Sequence, residues 1–125
     1  SAMIKLTAKG SFRNSERFFT NSKQLGEKFR QIMDRYGRQG VDALQSATPQ
    51  DTGETAKMWS YSINNWGLEF SNSNVNQGIP IVILIQYGHG TRNGGYVQGR
   101  DFINPALQPI FDRIVEDMTK EVQNL

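Results

Sequence analysis

The chain has 125 residues, no cysteine and a net charge of +2. That size suits one small domain with a single core, and the composition excludes disulfides, thiolate nucleophiles and thiolate metal sites. No apolar run is long enough to cross a bilayer and no charged-then-apolar leader precedes the domain, so a soluble protein made inside a cell, without a membrane partner, is expected.

Ser1 and Ala2 ahead of Met3 read as a cloning remnant, leaving a single domain over residues 3–125. Charge is spread unevenly. Residues 1–47 hold nine Lys/Arg against four acids, net +5, and residues 48–125 hold five against eight, net −3. Such polarity suits either nucleic acid or the meeting of one copy's basic end with another's acidic end.

In chain order, Met3 to Lys9 alternates well enough for a short strand, with Ile4 and Leu6 on one face. Asn14 and Ser15 ahead of Glu16, Arg17, Phe18 and Phe19 read as a capped helical turn. From about Ser22, Leu25, Phe29, Ile32 and Tyr36 recur at helical spacing, widened by Met33, Val41 and Leu44. This is a long amphipathic helix whose outer face carries Arg30, Asp34 and Arg38 as a solvated charge ladder. Gly37 and Gly40 each cost it about 1 kcal/mol relative to alanine, so they mark a kink or a close contact. Pro49 biases Thr48 away from helical angles and ends the helix, and the turn from Thr48 runs to Gly53.

Lys57 to Asn64 alternates Trp59, Tyr61 and Ile63 against Met58, Ser60 and Ser62, and Leu68 to Asn72 returns after Asn64-Asn65-Trp66-Gly67, which predicts a β-hairpin. Ser71 to Gly78 reads as a polar loop. Ile81-Val82-Ile83-Leu84-Ile85, mostly β-branched and led by Pro80, reads as the central strand around which the fold is arranged. Gly88 to Asp101 then holds five of the twelve glycines and is expected to be a long mobile loop. Asn104-Pro105 supplies an N-cap and an N1 proline for a final helix, which places Leu107, Ile110, Phe111, Ile114, Val115, Met118 and Val122 on one face and is expected to dock on the sheet.

Signals for bond-making chemistry are absent. His89 is the sole histidine, and no His/Asp/Glu spacing resembles a metal-ligand pattern, so it reads as a turn residue or an interface contact. There is no Gly-x-Ser-x-Gly elbow, and the glycines after Tyr87 are not followed by the Lys-Ser/Thr of a phosphate loop. No enzyme activity, cofactor or metal is expected. Arg92 and Arg100 suit a phosphate or a neighbouring carboxylate, and a protein partner is the preferred use.

Three stretches then stand together: Thr48-Pro49-Gln50-Asp51-Thr52-Gly53 after the long helix, Gln86-Tyr87-Gly88-His89-Gly90-Thr91, and Arg100-Asp101-Phe102-Ile103-Asn104-Pro105-Ala106-Leu107 at the last helix. With Trp59-Ser60-Tyr61 between the first two, this succession resembles the neck and tail-component family of tailed bacteriophages and prophages, over nearly the whole chain from the first helix on. It departs from many relatives in having Gln86 where they have a carboxylate, and in having His89. The resemblance implies an α+β domain: a small, mainly antiparallel sheet, about four strands on the reading above, packed by the long helix and the C-terminal helix. It also implies a non-enzymatic virion protein of the head-tail junction, made in the host cytoplasm and working as a multi-copy ring beside other connector or tail proteins. A ring needs a heterologous interface, and Tyr87, His89, Arg92, Arg100 and Phe102 are expected near it. The alternative is a nucleic-acid-binding module that uses the basic first third.

Overall fold

A computed structural model describes residues 4–7, 23–50, 53–64 and 67–124. In chain order the elements are β1 (Ile4–Thr7), α1 (Lys23–Ala47), α2 (Glu54–Lys57), β2 (Trp59–Asn64), β3 (Gly67–Asn72), β4 (Val75–Asn76) and β5 (Ile79–Pro80). Then come α3 (Ile81–Tyr87), β6 (Gly88–Gly90), β7 (Tyr96–Gln98) and α4 (Ile103–Gln123). The chain is α+β, with a long helix, a C-terminal helix and small antiparallel sheets. Among the described residues the strands do not form one four-stranded sheet. They form a three-stranded sheet in the order β1-β3-β2 and two separate pairs, β4-β5 and β6-β7.

The main departure from the sequence reading is α3. The isoleucine run is helical, and a short apolar run has no periodicity that separates a buried strand from a short buried helix. The punctuation around it is helical. Pro80 sits at the N-cap with φ −60°, and Gly88 takes φ 78° just past the end, its N–H returning to the Leu84 carbonyl. Burial follows the helix too: Val82 and Gln86, four apart, are the two buried residues of this element. The polar loop before it contains the β4-β5 hairpin, turned by Gln77 and Gly78, both at positive φ.

The hairpin of β2 and β3 forms as the alternation predicts, with Tyr61 opposite Phe70 and Asn64 opposite Gly67. Trp59, Leu68 and Phe70 are buried, while Ser60 and Ser62 are exposed. Helix α1 lies over this sheet, and its two odd glycines mark close contact. A Cβ on Gly37 would collide with the Tyr61 ring, and one on Gly40 with the Phe70 ring. Phe29, Ile32, Met33, Tyr36 and Leu44 of α1 are buried in the core. The helix ends at Ala47, where the Thr48 hydroxyl donates to the Leu44 carbonyl at 2.5 Å and accepts the Trp59 indole N–H at 2.8 Å. Thr48 thereby ties the helix end to the sheet in a buried, satisfied chain of hydrogen bonds.

Helix α4 packs along α1 rather than on the sheet, so α1 is the middle layer. The expected docking on the sheet is therefore corrected. The Tyr36 hydroxyl reaches Asp117 at 2.5 Å, with Arg35 3.5 Å from the same carboxylate. Pro109 removes one backbone bond from α4, a cost of about 3 kcal/mol. Burial of Ile103, Leu107, Ile110, Ile114 and Met118, at roughly 1.5–3 kcal/mol each, outweighs it. Val115, expected on the apolar face, is 40% exposed, one position round from Ile114. The expected helical turn at 14–19, the Asn65-Trp66 corner and Asp51-Thr52 lie outside the described residues. Among the described residues no helix is long and apolar enough to cross a membrane.

Candidate protein-protein interface

The stretch expected to be a mobile loop is a β-hairpin arm. Its strands pair antiparallel, with Gly88 opposite Gln98, His89 opposite Val97 and Gly90 opposite Tyr96. The tip closes through the Thr91 N–H to the Gly95 carbonyl at 2.9 Å, the Gly94 N–H to the Thr91 carbonyl at 3.2 Å, and the Gly95 N–H to the Thr91 hydroxyl at 3.0 Å. Gly94 supplies the positive φ the tip needs, 80°.

The root of the arm is held by close backbone approach. A Cβ on Gly99 would lie 2.6–2.8 Å from Tyr87 C, Gln86 O and Gly88 N. The Arg100 N–H then donates to the Ile85 carbonyl at 2.9 Å, and the Tyr96 hydroxyl to the Tyr87 carbonyl at 3.1 Å. Both strands of the arm are thus fastened to the C-terminal end of α3. The glycines act as spacers for that contact.

Gln86 joins the arm to α4. Its side-chain carbonyl accepts the Phe102 N–H at 3.0 Å and the Ile103 N–H at 3.1 Å, and its amide donates to Asp101 at 2.7 Å. Helix α4 therefore begins at Ile103 and is capped from another element, because Phe102 at the N-cap has no side-chain oxygen to offer. The expected Asn104 cap is corrected by this geometry: Asn104 lies inside the first turn and donates to Asp101 at 3.3 Å.

The predicted interface residues divide unequally. Tyr87 is 66% exposed at the root, Arg92 is exposed at the tip, and Arg100 is exposed where the arm returns. His89 is half-buried, and its Nδ1 is shielded without a hydrogen-bond partner among the described residues. Phe102 differs from these four. It is 8% exposed and belongs to the core, where an aromatic ring at the start of α4 gains more from burial than from solvent. Sequence reasoning missed Tyr96 and Val97, which are 65% and 45% exposed on the arm. Their signal was a strand-forming Tyr-Val pair after a Gly-Gly turn.

The arm from Gly88 to Arg100 carries Arg92 and Arg100 and no carboxylate. Among the described side chains of the basic first third, Arg35 and Arg38 already lie against Asp117 and Asp34. Asp34 is held below the usual carboxylate range, first by the Tyr61 hydroxyl and then by the Arg38 guanidinium. Among the described residues no three His, Asp or Glu side chains are grouped to hold a metal ion. No protein-family model, curated protein or solved structure matches this chain.

Proposed function

We propose that this chain is a non-enzymatic structural subunit of the head-tail junction of a tailed bacteriophage or prophage, working as a multi-copy ring through protein-protein contacts. The observation that carries the reading is the arm: a fastened hairpin with Tyr87, Tyr96 and Val97 exposed on and beside it. Large apolar and aromatic side chains left in water on a fixed support suit contact with another protein. A ring requires one surface of each copy to meet a different surface of the next, and a projecting arm is such a one-sided surface.

The stretches that carry the family resemblance also have work in this fold. Thr48 ends α1 and holds Trp59, while Gln86 to Gly88 meets Gly99 to Ile103 at the root of the arm. The test is genetic. Deleting the coding sequence from its phage should yield separated heads and tails, restored by the wild-type chain and not by a Tyr87→Asp, Val97→Asp variant that still folds. Intact infectious particles without this protein would end the reading.

A further inference from the structure

Strand β2 is an edge. Among the described residues it pairs with β3 on one side only, and its sequence, Trp-Ser-Tyr-Ser-Ile-Asn, holds no charge, proline or glycine. Edge strands are ordinarily protected by such residues, because their free N–H and C=O groups invite another strand. Among the described residues β2 has no such guard. Beside β2, against α1, run two shallow grooves: one of about 450 Å³ next to Val41, Asp42 and Tyr61, and one of about 400 Å³ next to Glu27, Asp34 and Ile63.

The arm has the complementary shortage. A two-stranded hairpin with three-residue strands is marginal in water by itself, and sheets gain independent stability at three strands or more. All three residues of β7 are exposed, whereas Gly88 and His89 of β6 are half-buried. The arm carries two arginines and no acid, and the groove wall on α1 carries Glu27, Asp34 and Asp42 against Arg30 and Arg38, with Arg38 already on Asp34.

Resting on the reading of this chain as a ring subunit, we infer that β7 of one copy adds to the open edge of β2 in the next, giving the order β1-β3-β2-β7. Tyr96 then lies on the sheet face of Tyr61 and Ile63, Val97 on the opposite face with Ser62, and Arg92 reaches the acidic side of α1. The contact is head-to-tail by construction, since each copy offers an arm to one neighbour and an edge to the other. It also pairs an edge that has no second strand among the described residues.

The chain lacks cysteine, so site-specific crosslinking is clean. The test places Val97→Cys and Ser62→Cys in one chain, with Val97→Cys and Thr119→Cys as the comparison; Ser62, Val97 and Thr119 are all exposed. A short bismaleimide is added to concentrated protein and to particles complemented with each variant. The expected result is a ladder of covalent multimers for Val97 with Ser62 and its near absence for Val97 with Thr119. Joined particles in which Val97 links to Thr119 instead, or links to neither position, overturn this inference and leave the ring reading standing. Particles that form normally without the protein remove both. Ser60→Lys in the Val97→Cys, Ser62→Cys chain is the independent check, Ser60 being exposed on β2: a guarded edge should abolish the multimers while the melting midpoint stays unchanged, and multimers that persist at the level of the chain with Ser60 intact overturn the edge as the docking surface.

Discussion

The three-layer body and the arm are built on opposite principles. In the body, Met33, Leu44, Leu68, Phe70 and Ile114 are fully buried, and even the glycines of α1 exist so that Tyr61 and Phe70 can approach the helix. In the arm no side chain from Gly90 to Gln98 is even half-buried, and order comes from backbone hydrogen bonds and from glycines pressed against the end of α3. Burial sets stability, and exposure on a fixed support sets what can be recognised. The division predicts that damage to one region spares the other.

The largest expected effect is Phe70→Ala. Emptying a fully buried ring site costs about 3–5 kcal/mol, a large share of the stability of a small domain, and urea unfolding followed by circular dichroism should show it. Replacing residues 91–95 by Asn-Gly removes only the exposed tip and should leave the same midpoint within about 0.5 kcal/mol. If trimming the tip unfolds the body, the two regions are not separable.

Gln86→Ala attacks the seam. It leaves the N–H groups of Phe102 and Ile103 without their acceptor, at a cost of about 1–3 kcal/mol. Gln86→Glu sharpens the point. It keeps an acceptor that the helix N-terminus favours but sets a second carboxylate against Asp101, at a position that donates at 2.7 Å in this chain. That variant should be less stable than wild type at pH 7. Gly99→Ala should act at the root of the arm, since its Cβ would meet backbone atoms of Gln86, Tyr87 and Gly88 that cannot rotate away. Faster amide exchange at Val97 and Arg100, with unchanged exchange in α1, is the expected result.

The same contrast explains what could be read from the sequence. Periodic burial was legible: α1, the alternation of β2 and the stripe on α4 through Leu107, Ile110, Ile114 and Met118 follow directly from residue spacing. Features set by one element acting on another were not. The isoleucine run favours a strand locally, yet Pro80, Gly88 and the burial of Val82 with Gln86 make it helical. Gln86 reaches sixteen residues along the chain to cap α4, and no local pattern announces such a partner. Phe102 and Tyr96 look alike as aromatics near glycines. Only the fold separates the buried one from the exposed one.

The smallest effect is expected at Tyr61, which donates to Asp34 at 2.6 Å on the surface between α1 and β2. Asp34 is held below its ordinary range first by this hydroxyl, so its contribution is present above the unfolded value and is lost as pH falls through the folded one, below about pH 4. The Tyr61 hydroxyl is pushed up, first by the same bond, so its contribution is full below about pH 10 and is lost as pH rises further. Tyr61→Phe should therefore lower the melting midpoint slightly between these limits, with the gap to wild type closing at both ends. Tyr36→Phe provides the contrast, because burial comes first among the causes that raise the Tyr36 hydroxyl and the Asp117 bond second. A Tyr61→Phe gap that stays constant from pH 3 to pH 7 would mean that the hydroxyl owes its place to packing alone. It would also mean that Asp34 is governed by Arg38 alone.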